Sequence, residues 1–237
     1  MRHTIRTLLL CACVSPAASA EPATGFVSVG HGGVFAAGTF ARSQSWLDLH
    51  CEGMDCQLRS TQPAIGRGSE RNILDEDEPT AVVFFAGEPI AVFSGLPQLR
   101  NPVVTWGRQP IFTNPLSPAR STASEGVFNL PLGDARLRWH WQRSDDGESY
   151  RHSLSDGTRS QALFELSAAG HYDGDTSMPE LHFIGDLDGD ARVDLLLSLP
   201  DDNCGFDQRL YLSSLATPGE SLALAARFEG RWPACGC

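Results

Sequence analysis

Arg136-Leu137-Arg138-Trp139-His140-Trp141-Gln142-Arg143 alternates polar with apolar or aromatic side chains along its whole length. A period of two gives one buried and one wet face, the pattern of a half-buried β-strand. The sequence beyond it keeps the same logic. Ser144-Asp145-Asp146-Gly147 and Ser155-Asp156-Gly157-Thr158 are turn sequences, since Asp-Gly supplies the positive φ of a tight hairpin, and 150–154 and 159–166 continue an antiparallel meander. Further on, 181–184, 193–199 and 209–213 add three short strands, while 222–227 is the only helix-like run and reads equally well as a strand. Upstream, 46–50 and 57–61 are extended, and 81–85 and 90–93 read as two strands around the turn Gly87-Glu88-Pro89. The expected fold is all-β or mainly β, built from antiparallel meanders and sheets.

Between the strands at 181–184 and 193–199 lies Asp186-Leu187-Asp188-Gly189-Asp190-Ala191-Arg192-Val193-Asp194, with carboxylates at loop positions one, three, five and nine. This is calcium-loop spacing. A hard cation with about six to eight oxygen ligands needs several carboxylates converging from one sharply turned segment, with a backbone carbonyl near position seven, here Arg192. An EF-hand would carry Gly at position six and a bidentate Glu at position twelve, where this chain has Ala191 and Leu197.

The unit Phe183-Ile184-Gly185, the Asp186-x-Asp188-Gly189-Asp190 core, Asp194 and Leu195-Leu196-Leu197 resembles the calcium loops of FG-GAP and VCBS-type repeats, found in integrin-like propeller blades and exported bacterial proteins. The resemblance covers residues 181–198. It implies Ca2+ as cofactor, with Asp186, Asp188, Asp190 and Asp194 as side-chain ligands and Arg192 as a carbonyl ligand. Where the family usually has Gly, this chain has Ala191; a positive φ there would cost about 1 kcal/mol. A propeller needs several self-similar blades, and 171–175 is only a degenerate echo of the one full motif, so a complete β-propeller is not expected. The same run is similar to the nucleophile motif of haloacid-dehalogenase phosphatases, but Asp190 stands where that family has Thr. The 237 − 194 = 43 residues after Asp194 are also too few for its Rossmann-like domain.

The first twenty residues read as an export signal: Arg2, His3 and Arg6 precede an apolar stretch, and Ala18-Ser19-Ala20 is a small-residue cleavage site. Leu10-Cys11-Ala12-Cys13 loosely resembles a lipoprotein box that would lipidate Cys13; the better-formed Ala-Ser-Ala site favours a periplasmic or secreted product. No later stretch approaches the ~18 apolar residues of a membrane span. The formal charge of −11 becomes −11 − 2 = −13 once Arg2 and Arg6 leave, which argues against nucleic acid as a partner. In an oxidising compartment cysteines pair. Cys51 and Cys56 flank a hairpin turn and are expected to bridge; Cys204 is expected to join Cys237 or Cys235, and zinc is disfavoured because no Cys-x-x-Cys pair has matching His. The Pro- and Ser-rich stretch 113–126 reads as a linker between an N-terminal β-rich region, 21–120, and a C-terminal β domain, 121–237, or equally as a long loop within one domain.

Catalytic signals are weak. His31-Gly32-Gly33 is a glycine turn without any Gly-x-Ser-x-Gly elbow, and Asp145 and Asp146 occupy a turn. The reading is an exported protein with a structural calcium ion, serving binding or envelope interaction with a protein or carbohydrate rather than catalysis. The competing class is a calcium-stabilised secreted hydrolase, because carboxylate pairs drawn from distant strands leave no local motif. An open cleft with convergent His or carboxylates would favour the enzyme.

Overall fold

Apolar alternation becomes strand throughout, and no helix occurs among the described residues of the computed structural model, which are 25–30, 32–53, 55–68, 79–100, 104–108, 125–130, 137–167, 179–199 and 205–232. In chain order the strands are β1 Phe26–Val29, β2 Gly32–Ala36, β3 Trp46–Glu52, β4 Asp55–Thr61, β5 Ala64–Arg67, β6 Thr80–Phe84, β7 Ala91–Ser94 and β8 Val104–Arg108, then β9 Glu125–Asn129, β10 Arg138–Arg143, β11 Ser149–Ser155, β12 Ser160–Ser167, β13 Glu180–Gly185, β14 Asp194–Leu199, β15 Gly205–Leu212 and β16 Ala223–Arg231. They pair antiparallel into one nine-stranded sheet (β1-β7-β3-β4-β8-β13-β14-β15-β16), a four-stranded sheet (β12-β11-β10-β9) and a three-stranded sheet (β2-β6-β5). The fold is mainly β, with no sheet closed into a barrel or propeller.

The nine-stranded sheet nevertheless curls until its outermost strands touch at one place. Gly25 forms a parallel bridge with Ala226, its N–H donating to the Ala225 carbonyl at 3.3 Å. A Cβ there would stand 2.3 Å from Leu96 Cδ2, so any side chain would force Leu96 to move. Beside the bridge, Val29 N–H donates to Gln208 Oε1 on β15 at 2.9 Å, so a side chain satisfies a donor of the edge strand.

The continuous apolar run of β14 has a simple cause. Leu195, Leu197 and Leu199 enter a core with Trp139, Trp141 and Leu154 of the four-stranded sheet. Leu196 enters another, among Val27, Leu49, Phe93, Phe183 and Leu210 inside the curl. A strand buried on both faces needs no polar alternation. A third core, around Phe35, Phe40, Trp46 and Val83, lies behind the three-stranded sheet. Strands from both sides of the 120/121 division share the nine-stranded sheet, because β8 pairs with β4 and with β13.

The Asp-Gly turns work as their chemistry requires. Asp156 Oδ1 accepts the N–H groups of Thr158 at 2.7 Å and Arg159 at 2.8 Å, while Gly157 sits at φ 93°. Those bonds hold the Asp156 carboxyl down at about 2, the Thr158 hydroxyl contributing most. In the first hairpin, Asp146 Oδ1 accepts the Glu148 N–H at 2.9 Å and Gly147 adopts φ 76°. His152 is fully buried; its Nδ1 accepts the Trp139 indole N–H at 3.1 Å and its ring stacks on Phe164. Strands β6 and β7 flank the turn at 87–89 without pairing, β6 joining β2 and β5 while β7 joins β1 and β3. Cys51 and Cys56 are directly opposed on β3 and β4 and form a disulfide, a short closure that stabilises by about 2 kcal/mol.

Leu195→Ala and Leu196→Ala are each expected to cost about 2–5 kcal/mol in denaturant unfolding, because each empties a different core. A cost below about 0.5 kcal/mol for either would mean that one face of β14 is wet.

Candidate metal centre

The segment from Asp186 to Val193 joins β13 to β14, and the register Gly185↔Asp194 brings its two ends together. Asp186, only 6% exposed, organises the turn by accepting three backbone N–H groups: Gly189 at 2.7 Å and Asp190 at 3.1 Å on Oδ1, and Ala191 at 2.9 Å on Oδ2. Accepting all three demands left-handed backbone at two positions. Gly189 takes φ 83° without cost, but Ala191 takes φ 62°, where its Cβ crowds the carbonyl.

Asp194, fully buried as the first residue of β14, closes the loop from the other side. Its Oδ2 accepts the Leu187 N–H at 2.7 Å, and its Oδ1 accepts the Ser213 N–H at 2.8 Å and the Ser213 hydroxyl at 3.0 Å. Asp188 accepts the Asp190 N–H at 3.3 Å and the Ser214 hydroxyl. Oxygens of Asp186, Asp188 and Asp194 then lie within 4.8 Å of one another. Three carboxylates this close offer oxygen donors of the kind a hard cation takes, and the cluster could hold a metal ion.

Asp190 is placed differently. Its carboxylate pairs with the Arg192 guanidinium at 2.7 Å and receives the Ser213 hydroxyl at 2.9 Å, and it stands outside the three-carboxylate cluster. The Arg192 side chain thus supplies the only cation against this loop among the described residues. Ser213 and Ser214 carry no motif and lie 19 and 26 positions from the carboxylates they hold. The signal that would have found them is pairing register: Leu195↔Tyr211 carries the chain on to Ser213 beside the start of β14.

Two carboxyls of the cluster are raised above the ordinary carboxylate range. Burial pushes the Asp194 carboxyl up to about 7, against the bonds from Ser213 and Leu187, and Asp188 adds to the rise. Burial also raises Asp188, opposed by the Ser214 hydroxyl and reinforced by Asp190 and Asp186. Such a cluster keeps a proton or takes a cation.

Cys204, Cys235 and Cys237, the echo at 171–175, Cys13 and the signal segment 1–20 lie outside the described residues. No family model, no curated protein and no solved structure matches this chain.

Ala191→Gly is expected to stabilise the protein by about 0.5–1 kcal/mol, the left-handed strain relieved less the entropy glycine adds to the unfolded chain; the denaturation midpoint reads it. A lower midpoint would mean the loop does not need that backbone. A second expectation concerns pH in EDTA. Below about pH 4 both states hold the Asp194 proton; as pH rises toward 7 the unfolded state, at 3.8, ionises while the folded state does not, and stability is lost. Asp194→Asn should lose less stability than the unaltered protein over this window, and parallel curves would refute the assignment.

Proposed function

We propose that the chain is an exported, calcium-binding β-rich protein in which the ion is structural and the domain serves binding or envelope interaction with a protein or carbohydrate. The observation that carries this reading is the convergence of Asp186, Asp188 and Asp194 within 4.8 Å in a loop fastened to the end of β15 by Ser213 and Ser214. Calcium would relieve the repulsion that crowds these acids and would tie β13, β14 and the 213–214 turn to one point. The strand–loop–strand arrangement of β13 and β14 around the acidic run supports the likeness to an FG-GAP or VCBS unit. Among the described residues no helix is long and apolar enough to cross a membrane.

A second reading, a calcium-stabilised hydrolase, draws support from a cavity away from the acidic loop, whose lining includes His50, His182, Glu52 and Glu88. Hydrolysis of chromogenic esters or phosphoesters that is lost in His50→Ala would favour it.

Thermal unfolding in EDTA and in millimolar calcium tests the main reading. At roughly 100 times Kd, calcium should raise Tm by about 5–10 °C, and Asp188→Ala should abolish the rise. The increment should be larger at pH 8 than at pH 5.5, because calcium must displace the Asp194 proton. An equal rise in the variant, or none in the unaltered protein, would sink the proposal.

A further inference from the structure

The inward face of the curled sheet ends in a pair of polar side chains. Leu181 pairs with Leu197, and both enter the core shared with the four-stranded sheet; Phe183 pairs with Leu196, and both enter the core inside the curl. The register skips His182, which is a β-bulge residue, and Ile184 returns to the first core. Bulges re-aim side chains in this way. Ser198 stands two residues beyond Leu196 and so on the same face of β14. Across the two strands His182 Nε2 and Ser198 Oγ share a hydrogen bond at 2.8 Å, and both residues are half-buried.

The His182 ring also lines a cavity of about 510 Å³ with Val29, Gly30 and Ile90, which leaves room for a small molecule beside it. Burial holds this imidazole below the ordinary His value, against the pull of Glu180, and so keeps it neutral and able to accept a proton near pH 7. The exposed Glu180 carboxylate stands 3.8 Å from the same Nε2 atom, where it stabilises the imidazolium that forms when the ring is protonated.

We propose that Ser198 is the nucleophile of an acyl-transfer site, with His182 as its general base and carboxylic esters of small acids as its substrate class. A serine hydroxyl is a weak nucleophile alone and needs an adjacent base. In the Nδ1–H tautomer, His182 Nε2 takes the Ser198 hydroxyl proton as Oγ attacks the ester carbonyl carbon. The bond from that carbon to the leaving alcohol oxygen then breaks, the alkoxide receives the proton from Nε2, and an acyl-serine remains. Water, deprotonated by the same nitrogen, attacks the acyl carbon; the carboxylic acid departs and Oγ recovers its proton. The proposal deepens the hydrolase reading and rests on it. It places the chemistry at His182, requires no contact between that ring and His50, and shares no residue with the aspartate cluster.

The test is labelling of the full chain, in millimolar calcium, with a fluorophosphonate probe that phosphonylates an activated serine oxygen and releases fluoride, read by peptide mass spectrometry. An adduct on Ser198 is expected in the folded protein and none there after denaturation in urea. His182→Ala should slow labelling at least about 100-fold. Glu180→Gln should move the midpoint of the labelling-against-pH curve to lower pH, because it removes the carboxylate that raises the imidazole; a merely structural contact would not move it. Hydrolysis of para-nitrophenyl acetate should disappear in Ser198→Ala. No adduct on Ser198 in the unaltered protein, or equal labelling rates with and without the His182 imidazole, would overturn the proposal. Ester hydrolysis that persists in Ser198→Ala but fails in His50→Ala would remove this nucleophile and leave the hydrolase reading standing.

Discussion

The double-sided burial of β14 is the constraint on which the rest of the molecule depends. Leu195 and Leu197 commit one face to the four-stranded sheet, and Leu196 commits the other to the interior of the curled sheet. A strand held this way cannot slip by one residue without exchanging its two cores, so register is fixed along β13, β14 and β15 together. Asp194 opens that strand with no exposed surface, and its carboxylate is placed by the packing that follows it rather than by the loop before it. The acidic turn is therefore attached to a strand packed on both faces.

The candidate centre exchanges one kind of cost for another. Backbone N–H groups at 189, 190 and 191 and the hydroxyls of Ser213 and Ser214 satisfy the carboxylates as hydrogen-bond acceptors, yet none of these donors carries a full charge. The one guanidinium nearby is engaged by Asp190. Two buried acids and one half-buried acid are thus satisfied in hydrogen bonding but unbalanced in charge. Ala191 adds local strain to the same turn, so the loop spends stability on its shape twice over.

Much of this was legible in the sequence where chemistry is local. The alternation around Trp139 and Trp141 gave β10, Asp-Gly gave the turns at 144–148 and 155–159, and the cysteine spacing gave the Cys51–Cys56 bridge. The positive φ suspected at Ala191 is present. What stayed hidden depends on long-range pairing. Strands β6 and β7 read as neighbours around one turn, but they serve different sheets, a choice made by burial of Val83 and Phe93 in separate cores. Ser213 and Ser214 had no motif to announce them. Asp190, equivalent to its neighbours by spacing, is set apart by the adjacent arginine.

The single bridge between Gly25 and Ala226 has a consequence for how the chain acquires its structure. The first described strand finds its last neighbour only near the far end of the chain, and the Val29–Gln208 hydrogen bond spans 179 positions. Closing so long a span is entropically costly before any contact rewards it, which places the molecule among slow, high-contact-order folders. During synthesis β1 can pair with β7 early, but its other edge and the Val29 N–H wait for β15 and β16. Until then the curl stays open along that edge.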